Sequence, residues 1–100
     1  MNEFLSFDYP TLPLLVKALR AEARLSILKS LKDGPKASSA IFADLRSNGF
    51  SDMEKSTFYY HLLLLKSLGI IYEVSQIIGA GKPEKVWGLA AERIIIKLVS

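Results

Sequence analysis

At Gly69 the apolar pattern of this 100-residue chain changes period, and no feature of the sequence restricts its fold more. Upstream, apolar residues recur three and four apart, as on one face of a helix. Downstream, Ile70-Ile71-Tyr72-Glu73-Val74-Ser75-Gln76-Ile77-Ile78 is rich in β-branched and aromatic residues, which suit a strand. Gly79-Ala80-Gly81-Lys82-Pro83 reads as a turn and Lys85-Val86-Trp87-Gly88-Leu89 as the returning strand. The spacing thus predicts a hairpin over residues 70–89 attached to a helical body.

Within that body, Thr11 can cap a helix with Pro13 in its first turn, where a missing N–H costs little. Leu12, Leu15, Val16, Leu19, Ile27, Leu28 and Leu31 keep helical spacing up to the stop at Asp33-Gly34-Pro35. Because Arg20-Ala21-Glu22-Ala23 contains no breaker, one helix or two fit this stretch equally. Ser38 or Ser39 can cap a short helix with Ile41, Phe42 and Leu45 inward, ended by Asn48-Gly49. Ser51-x-x-Glu54 has capping-box spacing, with Asp52 a second cap candidate, ahead of a helix running to about Leu68 on a stripe of Phe58, Leu62, Leu65 and Leu68. The tail is divided: Ile94-Ile95-Ile96 favours a strand, whereas Ala90-Ala91-Glu92-Arg93 and Lys97-Leu98 favour a helix. Read as a helix over 90–100, it completes the order helix, helix, helix, hairpin, helix. The expected fold class is therefore mainly α with a small β-hairpin. It is the plan of a winged helix-turn-helix: a three-helix core, a two-stranded wing and an extra terminal helix, in one domain over 1–100.

Composition removes most chemistry. With half the residues hydrophobic the chain is not disordered. Zero cysteine removes disulfides, thiolate metal sites and cysteine nucleophiles, and a single histidine leaves no two-His metal motif. Neither a nucleophile with its base nor paired carboxylates stand out, so no catalytic residue, metal or cofactor is expected and the chain is not read as an enzyme. Apolar runs such as Leu62 to Leu65 are far short of a membrane span. Met1-Asn2-Glu3-Phe4-Leu5 lacks the basic start of an export signal, so a cytoplasmic location is expected. The charge excess is only +3, and partner choice depends on where the charges lie.

Against that order, Ala18-Leu19 with Arg24-Leu25-Ser26-Ile27-Leu28-Lys29-Ser30-Leu31 resembles the second-helix signature of ArsR-type regulators, within the wider ArsR, MarR and PadR group. Ser56-Thr57-Phe58-Tyr59-Tyr60-His61-Leu62, with Leu65 and Gly69-Ile70-Ile71, is similar to their recognition helix and its terminating glycine, and Lys85 to Leu89 to the strand returning from the wing. The resemblance covers about three quarters of the chain, from Val16 to Leu89. It implies a homodimeric transcription regulator with one recognition helix per subunit in the major groove of double-stranded DNA and half-sites about 34–36 Å apart. The chain departs from the family in the long Asn48 to Glu54 connection, in Leu63 and Leu64 at normally charged positions, and in lacking the thiolates of metal-sensing members. A small-molecule effector is left open.

The expected DNA contacts follow. If Phe58, Leu62 and Leu65 face inward, Lys55, Ser56, Tyr59, Tyr60 and Leu63 face outward. Lys55 and Thr57 suit phosphates, and Ser56, Tyr59 and Tyr60 suit sequence reading. For His61 the resemblance implies a backbone-phosphate contact. Lys82 and Lys85, flanking Pro83-Glu84 at the wing, are the remaining phosphate candidates. Lys29, Lys32 and Lys36 are read as complementing a helix dipole instead. Surplus apolar residues at both ends predict a dimer interface of Phe4, Leu5, Phe7, Leu12, Leu15, Ile94, Ile95 and Leu98, formed by an arm and helix over 1–20 and the terminal helix. The competing expectation is a protein-interaction module using Leu63, Leu64 and the tyrosines.

Overall fold

A computed structural model describes residues 2–79 and 81–99; Met1, Ala80 and Ser100, which fall in the expected arm, turn and terminal helix, lie outside the described residues. The chain opens with strand β1 (Asn2–Asp8) and a 3-10 turn, then helices α1 (Leu12–Arg20) and α2 (Glu22–Ser30). A two-residue strand β2 (Lys36–Ala37) leads into α3 (Ser38–Ser47) and α4 (Lys55–Ser67), and strands β3 (Ile71–Gly79), β4 (Lys82–Leu89) and β5 (Ala91–Lys97) follow.

Residues 12–30 are two helices, separated at Ala21 by one extended residue (φ −80°, ψ 121°). The break needs no glycine because Arg24 holds it: its Nε donates to Ala18 O at 2.7 Å and its Nη2 to Lys17 O at 3.2 Å, satisfying carbonyls that α1 leaves open at its end. At Gly34, Gly49 and Gly69 the chain turns with φ of 138°, 102° and 74°, the left-handed geometry in which a side chain is strained. The expected capping box does not form. α4 starts only at Lys55, Glu54 makes no side-chain cap, and the chain before it turns through Met53 N→Phe50 O (3.1 Å) while Phe50 and Met53 pack against the core. Thr11 likewise makes no side-chain cap to α1; its hydroxyl reaches back to Asp8 O at 3.0 Å. Neither Ser38 nor Ser39 is the N-cap of α3, which is Ala37, without a side-chain bond.

The expected mainly α, winged helix-turn-helix class is corrected. Among the described residues four α-helices are combined with five strands in two sheets, an α/β fold with 33% strand. One sheet is antiparallel in the order β2-β4-β3; the other is a parallel pair of β1 and β5. The terminal helix expected over 90–100 is a strand, and the arm before α1 is its partner. Leu5 lies beside Ile94 and Phe7 beside Ile96, a register set by alternating side chains. The β-branched run Ile94-Ile95-Ile96 outweighs the weak helical preference of its flanks because β1 supplies a ladder for it.

The core gathers Trp87, Phe58, Leu15, Ile27, Leu62 and Ile71 among others, all within 2% of complete burial. Leu5, Phe7, Leu12 and Ile94 pack over it partly buried, so the terminal pair is a lid on the helical body. No helix among the described residues is long and apolar enough to cross a membrane.

Candidate nucleic-acid interface

α4 buries Phe58, Leu62 and Leu65 and exposes Lys55, Ser56, Thr57, Tyr59, Tyr60 and Leu63, whereas Leu64 is half-buried. The Phe58 ring meets Phe42 of α3 with centroids 5.0 Å apart, which fixes the outward face of α4 relative to α3. Both tyrosines present about half their surface, 46% for Tyr59 and 56% for Tyr60.

The hairpin is rooted on α3 through a residue pair with no sequence motif. Trp87 Nε1 donates to Ser38 Oγ at 2.9 Å, and that hydroxyl donates to Lys85 O at 3.2 Å. Ser38 and Trp87 are both buried, so the tie is shielded from water. A second tie lies at the rim, where Glu84 accepts from the Ser39 backbone N–H at 2.5 Å, at the N-terminus of α3. Hydrogen bonding from the Ser39 side chain and then its backbone N–H holds the Glu84 carboxyl below its usual range. This acid, which in sequence sits awkwardly between two lysines, is thus directed at the helix end where negative charge is favoured.

These ties bring Lys82, Pro83 and Glu84 against Lys55 and Tyr59, and the five line a groove of about 220 Å³ with Ser39 and Phe42 among its walls. Lys85 does not line it: its Nζ lies 6.0 Å above the Trp87 ring, with Lys66 Nζ at 5.8 Å from the same ring. The expected phosphate contacts therefore divide into a groove pair, Lys55 and Lys82, and a separate basic spot at Lys85 and Lys66. Lys66 escaped the sequence reading, although its place one helical turn beyond Leu62 and Leu63 was a usable signal.

His61 sits on the opposite shoulder of α4, half-buried, where Arg24 Nη1 lies 2.9 Å from its Nδ1. Guanidinium has no acceptor, so Nδ1 must accept and the ring proton belongs on Nε2. Burial, and then the Arg24 charge, lower the His61 pKa from 6.5. A phosphate contact from this residue is limited to a neutral Nε2–H. Between the lowered folded value and 6.5 the unfolded chain binds more protons, so this contribution to stability is complete above pH 6.5 and is lost as pH falls through that window. Urea titrations at stepped pH should show stability declining below pH 6.5 in the wild type, and a flatter profile there in His61→Gln, whose amide oxygen can still accept from Arg24.

Of the expected dimer residues, Phe4, Ile95 and Leu98 are exposed at 47%, 41% and 67%. Leu5, Phe7, Leu12 and Ile94 are half-committed to the protomer's own core. Leu15 is corrected: at 1% exposure it belongs to that core, because the inner stripe of α1 packs on the helical body. The sequence reading missed the outer face of α1, where Leu14 and Val16 are 58% and 53% exposed beside Tyr9 at 65%. Lys36, read as a dipole partner, pairs with Asp44 at 2.6 Å. Scanned against protein-family models the chain matches none, and comparison with curated proteins gives no match.

Proposed function

We propose that the chain is a homodimeric, sequence-specific double-stranded DNA-binding protein that regulates transcription, with α4 in the major groove and the β3–β4 hairpin on the flanking backbone or minor groove. The observation that carries this reading is the groove that unites Lys55 and Tyr59 of α4 with Lys82 of the hairpin. Two cations far apart in sequence converge beside an exposed helix face rich in hydroxyl groups, which suits phosphate anchoring next to base contact. Lys55, Thr57, Lys82 and Lys85 position the duplex, and Ser56, Tyr59 and Tyr60 read it. His61 orients α4 and offers its Nε2–H to the backbone. Binding, not catalysis, is the proposed activity, in the cytoplasm. The resemblance of residues 56–71 to ArsR-type regulators points the same way.

The dimer rests on the terminal module, where Phe4, Tyr9, Leu14, Val16, Ile95 and Leu98 leave apolar surface open. A two-fold pair joined there presents two copies of α4, as palindromic half-sites require.

The test is a fluorescence-anisotropy titration of mixed-sequence duplex at low and moderate salt. Wild type is expected to bind with an affinity that falls steeply with salt. Lys82→Ala/Lys85→Ala should flatten the log–log slope by about 2, one for each phosphate that the variant leaves unneutralised. Tyr59→Ala should weaken binding with the slope unchanged. Absence of wild-type binding at low salt would sink the reading and favour protein docking on the exposed Leu63, Tyr59 and Tyr60 face.

A further inference from the structure

The hairpin carries apolar side chains where a solvated tip needs none: Ile78 is 74% exposed and Ile77 47%. β4 is paired on its other side only at Val86 and Trp87, so beyond that point the hairpin is a two-stranded ribbon, held to the body at Glu84 by the Ser39 N–H. Its register sets Ile78 opposite Pro83 and, two residues further back, Gln76 opposite Lys85. Directly opposed residues share a face, so these four side chains form one surface with the apolar pair nearest the tip. Ile77 and Glu84 oppose each other on the other face, where Glu84 is tied to the Ser39 N–H. The ribbon stays two strands wide as far as the Gly79–Lys82 pair, and Gly81 takes φ 81°. Gln76 Nε2 donates to Glu73 Oε1 at 3.4 Å, an acid set back toward the body.

We infer that the hairpin tip is a minor-groove wedge. Ile78 and Pro83 enter between base pairs and kink the duplex, Lys82 and Lys85 lie against the flanking phosphates, and the Gln76 amide donates to base-edge acceptors. The inference rests on the DNA-binding reading above and adds the groove, the contact chemistry and the deformation. An apolar blade backed by an amide and flanked by cations is the set of groups that minor-groove benders use, and the minor groove, about 6 Å wide, admits only a slender element. Charge favours DNA over an apolar protein surface as occupant, because Lys85 shares the blade's face while Lys82, next to Pro83 in the chain, lies on the opposite face, where the ribbon continues into the Lys55–Lys82 groove.

The test uses the full chain and a mixed-sequence duplex with 2-aminopurine beside a central TA step and a fluorophore pair at its ends. Wild type is expected to raise the 2-aminopurine emission and shorten the end-to-end distance. Ile78→Thr, which keeps a β-branched residue in an exposed position, should lose both signals while its affinity changes less than about ten-fold and its salt slope is retained. Salt-dependent wild-type binding without either signal overturns the wedge and leaves the DNA reading standing, as does an Ile78→Thr variant that kinks the duplex like wild type. A wild type that fails to bind at low salt overturns both.

Discussion

Trp87→Ala is expected to destabilise the fold by about 3–5 kcal/mol, as for other buried aromatics cut to alanine, with a fall in Tm of roughly 15–30 °C. Trp87 is 2% exposed, fills the space between the three-stranded sheet and the helices, and donates its indole N–H to Ser38. Truncation therefore opens a cavity and at once removes the donor to the buried Ser38 oxygen, leaving that hydroxyl only its bond to Lys85 O. A domain of this size has about 5–15 kcal/mol in total, so the variant should lie near the edge of folding. Urea melts of Trp87→Phe separate the two effects: retaining a ring but not the N–H should recover most of the loss, leaving about 1–2 kcal/mol for the missing hydrogen bond. If the alanine variant melts within a few degrees of wild type, Trp87 does not root the hairpin.

Arg24→Met comes next, with an expected loss of about 2–4 kcal/mol. The methionine keeps the apolar stem but leaves Ala18 O, Lys17 O and His61 Nδ1 without their shared donor. Lysine should not rescue it, since a compact ammonium cannot reproduce a planar fork that serves three acceptors. Hydrogen exchange provides the specific readout: amides of α1 should exchange faster in Arg24→Met while those of α3 keep their protection. A double-mutant cycle with His61→Phe should show coupling between the two positions, because one guanidinium joins the end of α1 to the shoulder of α4.

What the sequence reveals about this fold depends on how local each cause is. The helices around Ile27, Ile41 and Phe58 and the hairpin around Gly81 are written in periodicity and in glycine placement, and they stand where those signals put them. The break at Ala21 has no local signature, since it is made by a side chain three residues later reaching back to α1. The tail defeats a local reading for a related reason: Ala91 to Lys97 is a strand because β1, at the other end of the chain, pairs with it. Ser51 and Glu54 carry capping-box spacing, yet the burial of Phe50 and Met53 decides where α4 begins. At the candidate interface, the outward set on α4 follows from the Phe58–Leu62–Leu65 stripe alone. The meeting of Lys82 with Lys55, and the diversion of Glu84 to the Ser39 N–H, come from the tertiary docking of the hairpin and have no trace in spacing.

The parallel pairing of β1 with β5 also fixes the order in which the protein can be made. A ribosome releases β1 before β5, so the first strand must wait, with its ladder open, until the helices and the hairpin between them have emerged. The helical body and the hairpin close over shorter stretches and can set before that event, leaving the strand pair as the final, least cooperative step. Its amides should accordingly be the first to open in the native state. Two protomers caught at that stage could exchange their last strands, each completing the other's ladder.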